Sequence, residues 1–470
     1  MRNGSYALLQ TDGSLIQTEA APALLDLLDT LAPADITLLN TDRLGRRSFL
    51  VAERQQADET IFFIANASAE ERECDVALRP AGGVIGPDTP WTVERIDLED
   101  GTRHRLRGMN RAGADGATRV VVPLSFSRYG SRLVSIRPGP EEPELDCSAT
   151  DSENTATIVN VPLDDDWHCS LASDNALRFD RFHFGVVTEK PVAPDVPPDG
   201  WENWPIVEPK PLINILNDLN RDRRGWPVPL QVATPFGTPA QIGLQLPITA
   251  WYTSEFTVES LPAHAALCAE TSAFLGDWAV WLNGQSIPAS QFRPRVRWDL
   301  SNREADVRPL LRRGRNTLAI RMTIRQQTDG LVDAVYLLGD FGVSFDQLGL
   351  PSLSDTPRQV RGNRLHLDGL PHYAGVVHLS KRIDVPAGDH PIALSLPEDV
   401  LMYLGVAELA FNGHRLGVRP WAPYRWSVPT EIVRPNDNEL TISLTTTLVG
   451  LLEGKRYAPE RRAAVRIAPA

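Results

Sequence analysis

One arrangement occurs twice in this 470-residue chain and narrows what it can fold into. Val280-Trp281-Leu282 runs into Asn283-Gly284, and Glu408-Leu409-Ala410-Phe411 runs into Asn412-Gly413. In both, a short, partly apolar strand enters Asn-Gly, the strongest short-range hairpin signal. A polar turn and a half-buried strand come later in each: Gly314-Arg315-Asn316-Thr317-Leu318-Ala319-Ile320 in the first, Asn436-Asp437-Asn438-Glu439-Leu440-Thr441-Ile442 in the second. Duplicated units of this kind predict two β-sandwich modules of one type. Asn283 and Asn412 read as turn residues that tolerate positive φ.

The length allows three domains of ordinary size, each with its own core. Hydrophobic content of 42% and charged content of 23% are those of a soluble globular protein. A formal charge of −13 argues against nucleic acid or an anionic membrane as partner. No apolar run reaches the roughly 18 residues that span a bilayer. The first residues, Met1 to Tyr6, lack an apolar stretch, so no secretion signal is readable there. Cys74, Cys147, Cys169 and Cys268 show no metal-ligand spacing and read as buried thiols, with one disulfide as the alternative.

Along the chain, Tyr6 to Leu9 reads as a strand, and Ala20 to Leu31 as an amphipathic helix with Leu24, Leu27, Leu28 and Leu31 on one face. From Arg47 to Pro138 short strands recur at sandwich spacing, Thr60 to Ala65 and Trp91 to Ile96 among them. Between Glu189 and Pro247 there are twelve prolines, with Trp201, Trp204 and Trp226 interleaved. Proline withholds a backbone donor, so this stretch cannot be central sheet. It reads as an ordered loop clamped onto a sandwich by its tryptophans, or as a Trp-lined ligand groove. Strands then return at Trp251 to Val258, Trp278 to Leu282, Thr317 to Ile324, Val376 to Val385, Val406 to Phe411 and Glu439 to Thr446. Two short helices are expected, over Ile213 to Asp222 and Glu304 to Leu311.

The last module reads Leu370-Pro371-His372-Tyr373-Ala374-Gly375, a strand, and Phe411-Asn412-Gly413-His414-Arg415-Leu416-Gly417. Pro420-Trp421-Ala422-Pro423-Tyr424-Arg425-Trp426 follows, and Asn436-Asp437-Asn438-Glu439-Leu440 closes it. This order resembles the jelly-roll sugar-binding domain of glycoside hydrolase family 2. From about Arg43 onward the chain is similar to the C-terminal portion of family 106 α-L-rhamnosidases, where a strand like Ile61-Phe62-Phe63-Ile64-Ala65-Asn66 opens a β-domain and two jelly-roll segments follow. The resemblance implies a mainly β fold of tandem β-sandwich or jelly-roll domains of galactose-binding-like type. The expected division is a strand-helix remnant over 1–40, a sandwich over 41–140, a jelly roll with the Pro/Trp-rich insertion over 141–349 and a second jelly roll over 350–470. It also implies carbohydrate as partner.

Enzymes of that family carry their catalytic acids on a (β/α)8 barrel, which needs roughly 200 residues or more of alternating strand and helix. Only the segment before residue 32 has that rhythm, so none of the family's acid/base residues maps onto this chain. The expectation is a non-catalytic region that supports a barrel on another domain or chain, from a truncated or split enzyme. A self-contained hydrolase with unrecognised carboxylates and a scaffold without sugar affinity are the alternatives.

Glycoside hydrolysis needs two carboxylates about 5–10 Å apart. Asp164, Asp165 and Asp166, with Asp174 and Asp180 nearby, read first as a solvated turn and second as a Ca²⁺ site, the one candidate cofactor. Glu255 and Glu270 on strands read as solvated, and His372, His378 and His414 as surface or turn residues. A sugar ring needs a flat apolar surface and planar hydrogen-bonding groups. Trp421, Tyr424 and Trp426 with Arg419 and Arg425 offer both, as do Trp278, Trp281 and Trp298; packing of these rings against their own sheets is the competing reading.

Overall fold

The computed structural model describes residues 6–9, 15–18, 36–39, 48–56, 59–68, 70–79, 90–98, 101–112, 118–139, 157–187, 196–221, 246–386, 392–397, 405–421, 424–453, 456–457 and 467–468. It is mainly β, with tandem antiparallel sandwiches, as the resemblance implied. The chain divides into two compact units, Met1–Thr157 with Trp421–Arg425, and Ile158–Pro420 with Trp426–Ala470. Among the described residues no helix is long and apolar enough to cross a membrane.

In the first unit Tyr6–Leu9 pairs antiparallel with Leu15–Thr18. The helix expected over Ala20 to Leu31 lies outside the described residues. A four-stranded sheet runs in the order Ile36–Leu39, Arg72–Leu78, Thr118–Phe126 and Met109–Ala112. Its five-stranded partner runs Phe49–Gln56, Glu59–Asn66, Ser131–Pro138, Trp91–Ile96 and Arg103–Arg105. Strand alternation decides what lies between them: Phe62 and Ile64 are fully buried and the intervening Phe63 is exposed. Val76, Leu78, Val122 and Val134 complete this core.

The second unit holds two sandwiches. The smaller sheet of the middle sandwich is ordered Asn175–Phe179, Val335–Gly339, Ala265–Glu270, Asn302–Asp306 and Arg293–Pro294. Its larger sheet runs Ile206–Val207, Phe182–Val187, Ile248–Val258, Gly314–Ile324, Asp277–Leu282 and Gln285–Ile287. Phe182, Phe184, Tyr252, Phe256, Ile320, Leu337 and Phe341 fill the space between. The helix Leu212–Arg221 forms where expected and buries Leu212, Ile215, Leu216 and Leu219, the spacing of one helical face. The second expected helix does not form. Residues Asn302–Asp306 are instead a strand paired with Ala265–Glu270, and only a single 3-10 turn follows at Arg308–Leu310. Pro309 lacks the donor an α-helix would need, and the ladder uses those of the strand.

The C-terminal sandwich sets Thr157–Asn160, Ile392–Ser395 and Arg425–Val428 against a six-stranded sheet. That sheet is ordered Gln359–Arg361, Asp166–Leu171, Val376–Ile383, Asn438–Thr445, Val406–Phe411 and His414–Arg419. Two of these strands, Thr157–Asn160 and Asp166–Leu171, precede the middle sandwich in sequence. The middle sandwich is therefore inserted within the C-terminal one. A reading along the chain groups neighbours, whereas these ladders join strands roughly 190 to 210 residues apart, with no local signal for the pairing.

The twin Asn-Gly motifs do more than turn the chain. Asn283 and Asn412 have φ of 55° and 49°. The Asn283 side-chain amide donates to the Leu310 carbonyl and to Asn316 Oδ1, and its oxygen accepts from the Thr317 amide. Asn412 repeats this with Ile432, Asn438 and Glu439. Asn316 and Asn438, both fully buried, each close a loop on the residue four positions earlier, Arg312 or Arg434, with one bond given and one accepted. Each lock meets a 3-10 turn, Arg308–Leu310 or Thr430–Ile432. Cys74, Cys169 and Cys268 are buried free thiols, and burial pushes them up to about 11, 11 and 12. Cys147 lies outside the described residues.

Candidate functional site

The residues named from sequence are dispersed. Trp278 and Trp281 are three apart on one strand and so lie on opposite faces of it. Trp278 stacks on Phe274 at 4.5 Å beside the core, and Trp281 lies on the outward face. Trp298 belongs to the other sheet's loop. Tyr424 and Trp426 are buried; the Trp426 indole donates to the Gly417 carbonyl at 3.0 Å and carries the Arg419 guanidinium over its ring. Arg425 is half-buried and Trp421 is 38% exposed.

Asp164, Asp165 and Asp166 are all exposed, and Asp165 pairs with Lys381 at 2.5 Å. Among the described residues no group of three acidic, His or Cys side chains is placed to hold a metal. His372, expected near the surface, is buried at 2% exposure, and its Nδ1 accepts from the Arg178 amide at 3.2 Å. His378 and His414 are exposed.

Two outward faces of the middle sandwich collect aromatic and polar groups. On the smaller sheet, register aligns Arg178, Tyr336, Cys268 and Glu304 across four strands. The loop before Asn302 folds over this row because the Asn302 side-chain oxygen, fully buried, accepts from the amides of Arg297, Trp298 and Asp299. That loop carries Trp298, half-exposed, whose indole donates to Glu270 Oε1 at 3.1 Å and whose ring meets Tyr336 edge-on at 4.7 Å. Arg178 lies over the Tyr336 ring at 5.9 Å, pairs with Asp180 at 3.3 Å and donates to the Leu451 carbonyl at 2.9 Å. Burial pushes Asp180 up to about 6 against the pull of Arg178, with Glu208 adding to the rise. Burial also raises the Tyr336 phenol. One indole, one phenol, a guanidinium and two carboxyls thus share one rim. Glu270 was visible in the sequence as a strand residue; Arg178 and Tyr336 gave no signal, because only the register brings them together.

On the larger sheet, one row holds Gly185, Trp251, Arg321 and Ala279, and the next His183, Thr253, Ala319 and Trp281. Trp251 and Trp281 lie 5.3 Å apart with Arg321 over both rings, at 5.9 and 5.0 Å. Trp204, from the Pro/Trp-rich stretch, covers Gly185 so closely that a Cβ there would stand 2.4 Å from its ring. His183 Nδ1 bonds the Trp204 carbonyl at 3.0 Å, and its ring meets Trp201. The clamp reading of that stretch describes these residues.

Paired acids also occur, each pair bridged by a basic side chain. Arg103 holds Glu59 at 2.5 Å and Glu94 at 3.1 Å. His264 bridges Asp174 and Asp340 at 2.5 and 3.2 Å, and Arg297 joins Asp174 to Glu304. Glu255 pairs with Arg315. The Arg103 bond holds the Glu59 carboxyl below its ordinary value, the opposite of what a general acid needs.

No family model matches the chain, and no curated protein does either. Solved structures do. A rhamnosidase from Novosphingobium sp. PP1Y is similar at 16% identity over 71% of this chain and 27% of its own, with a TM-score of 0.23. The exo-chitosanase of Amycolatopsis orientalis matches at 11% identity over 57% of this chain and 28% of its own, TM-score 0.27. A β-D-mannosidase from Dictyoglomus thermophilum matches at 14% over 58% and 31%, TM-score 0.23. The chain spans between a quarter and a third of the length of these three structures.

Proposed function

We propose that this chain is a carbohydrate-binding accessory region of an α-L-rhamnosidase-like glycoside hydrolase, acting with a catalytic barrel on another domain or chain. The observation that carries the reading is the Trp298 rim. An indole stands half-exposed with its N–H already anchored on Glu270 and its ring against Tyr336, which in turn carries Arg178 paired with Asp180. A pyranose needs one apolar face to stack on and planar groups to take its hydroxyls; Tyr336 is buried, so the half-exposed Trp298 ring and the Glu270 carboxylate are what this rim offers. Trp421, the exposed ring among those first named from sequence, is a second stacking surface.

Support for an accessory role comes from the acid pairs. Among the described residues, Glu59 with Glu94, Asp174 with Asp340 and Asp174 with Glu304 each have a guanidinium or imidazole between them. The raised acid Asp180 pairs with Arg178, whereas hydrolysis needs a raised acid and a partner open to the sugar. Calorimetric titration of the full chain with rhamnose-containing oligosaccharides tests the reading. Binding that Trp298→Ala weakens about tenfold or more is expected, with Trp421→Ala giving a smaller loss. Silence toward every plant and bacterial polysaccharide would favour a plain scaffold. Turnover of an aryl α-L-rhamnoside by the chain alone would make it a hydrolase in its own right.

A further inference from the structure

The row of the smaller sheet that runs beneath the Trp298 loop ends on arginine. Register sets Arg293 opposite Glu304, so the row Arg178, Tyr336, Cys268 and Glu304 gains a fifth member on the edge strand. Arg295 and Arg297 reach the same side, because both guanidiniums meet the Glu304 carboxylate. Glu304 is thus shared by two cations, and Asp174 by Arg297 and His264. Arg293 is exposed and has neither a hydrogen bond nor an ion pair among the described residues. Arg295 is 64% exposed and meets Glu304 only at 3.6 Å. From Arg293 to Arg303 the chain has four arginines and one acid, Asp299, although the whole carries −13. Guanidiniums therefore exceed carboxylates at this end of the rim, whereas Glu270 marks the other end.

We propose that the glycan bound at the Trp298 rim is acidic, and that Arg293 and Arg295 take its carboxylate or sulfate groups. The proposal rests on the carbohydrate reading above and deepens it by fixing the charge of the ligand. Tyr336, against which the Trp298 ring lies, and Glu304, on which Arg295 rests, stand two strands apart, roughly 10 Å. A sugar ring stacked on Trp298 leaves the next rings of its chain over the arginines. A guanidinium fork matches the paired oxygens of a carboxylate or sulfate, and a neutral hexose offers no such partner. Glu270 already accepts from the Trp298 indole, and its carboxylate takes hydroxyls while repelling an acid group. The ligand then lies one way round, with hydroxyls toward Glu270 and acid groups toward the edge strand.

The test is calorimetry on the full chain with three probes: tri-galacturonate, the same trisaccharide with its carboxyls reduced to alcohols, and an O-sulfated form of the reduced sugar. At least one acidic sugar is expected to bind about tenfold more tightly than the reduced one at about 50 mM salt, and to lose that margin near about 1 M. Whichever acid gives the margin names the group that the arginines take. Arg293→Gln with Arg295→Gln is expected to bring the acidic sugar down to the affinity of the reduced one, with the fold checked by circular dichroism. Arg293→Lys with Arg295→Lys keeps the charge and is expected to keep most of the margin. Equal affinity for acidic and reduced sugars overturns the proposal, and so does a margin that survives the double Gln variant. If acidic and reduced sugars bind alike and Trp298→Ala abolishes both, the accessory reading stands and this one falls. Absence of binding to any of the probes and to rhamnose-containing oligosaccharides removes both.

Discussion

The middle and C-terminal sandwiches share an asparagine lock bond for bond, yet the sheets that carry the locks treat their outward faces in opposite ways. In the middle sandwich that face presents Trp251, Trp281 and Arg321 and is covered by Trp204 and Trp201. In the C-terminal sandwich the corresponding positions are His168, Ser170, His378, Ser380, Thr441 and Ser443, all exposed or half-exposed, with His378 bonded to Ser443 at 2.9 Å. The frame is thus independent of what its face carries. Buried asparagines fix where the hairpin meets the following strand, and the alternate positions of the same strands remain available for other chemistry.

The largest effect should come from the locks. Asn316→Ala and Asn438→Ala each leave a main-chain donor and acceptor of Arg312 or Arg434 unpaired and take one of the three bonds of Asn283 or Asn412, so each should cost about 3 kcal/mol in urea unfolding. Similar losses would sharpen the equivalence; a loss at one position alone would break it. Next comes the cover: Trp204→Ala should lower stability by about 3 kcal/mol and red-shift tryptophan fluorescence as Trp251 and Trp281 meet water. No change in emission would mean that the platform is shielded by something else.

The third test concerns charge at the Trp298 rim. Asp180, with its folded value near 6 and an ordinary value of 3.8, holds its proton more tightly in the folded chain than in the unfolded one. Its contribution is therefore favourable below pH 4 and is lost as pH rises through 6. Relative to the native chain, Asp180→Asn should gain stability between pH 4 and pH 7, on the order of 2 kcal/mol, measured as the pH dependence of the difference. A pH-independent difference would remove Asp180 from the account. The smallest effect should follow Ser443→Ala on the open face, within about 0.5 kcal/mol. A much larger cost would show that this polar face is built as tightly as the covered one.

Strand positions were legible where the alternation is clean. Val406–Phe411 begins and ends as the pattern predicts, because one face of it is buried and the other is not. Val335–Gly339 was not legible: all its residues are buried, so no alternation marks it. The twin Asn-Gly turns were visible as turns, but not their partners Asn316 and Asn438, since a buried asparagine and a loop asparagine look alike in sequence. The grouping of Trp278, Trp281 and Trp298 followed proximity along the chain. Pleating separates the first two, and the third was joined to Glu270 and Tyr336 by a register that only the folded sheet defines.

The nesting of one sandwich inside another also sets an order of events during synthesis. Strand Asp166–Leu171 leaves the ribosome long before Gln359–Arg361 and Val376–Ile383, the strands that flank it in the sheet. At a few to twenty residues per second, the intervening stretch of roughly 190 residues takes on the order of ten seconds or more to emerge. The inserted sandwich has all its own strands out first, so it can fold while the enclosing one still waits with an unfinished edge. A nascent chain paused before Gln359 would then be the form most exposed to wrong partners, and the one a chaperone would be expected to hold.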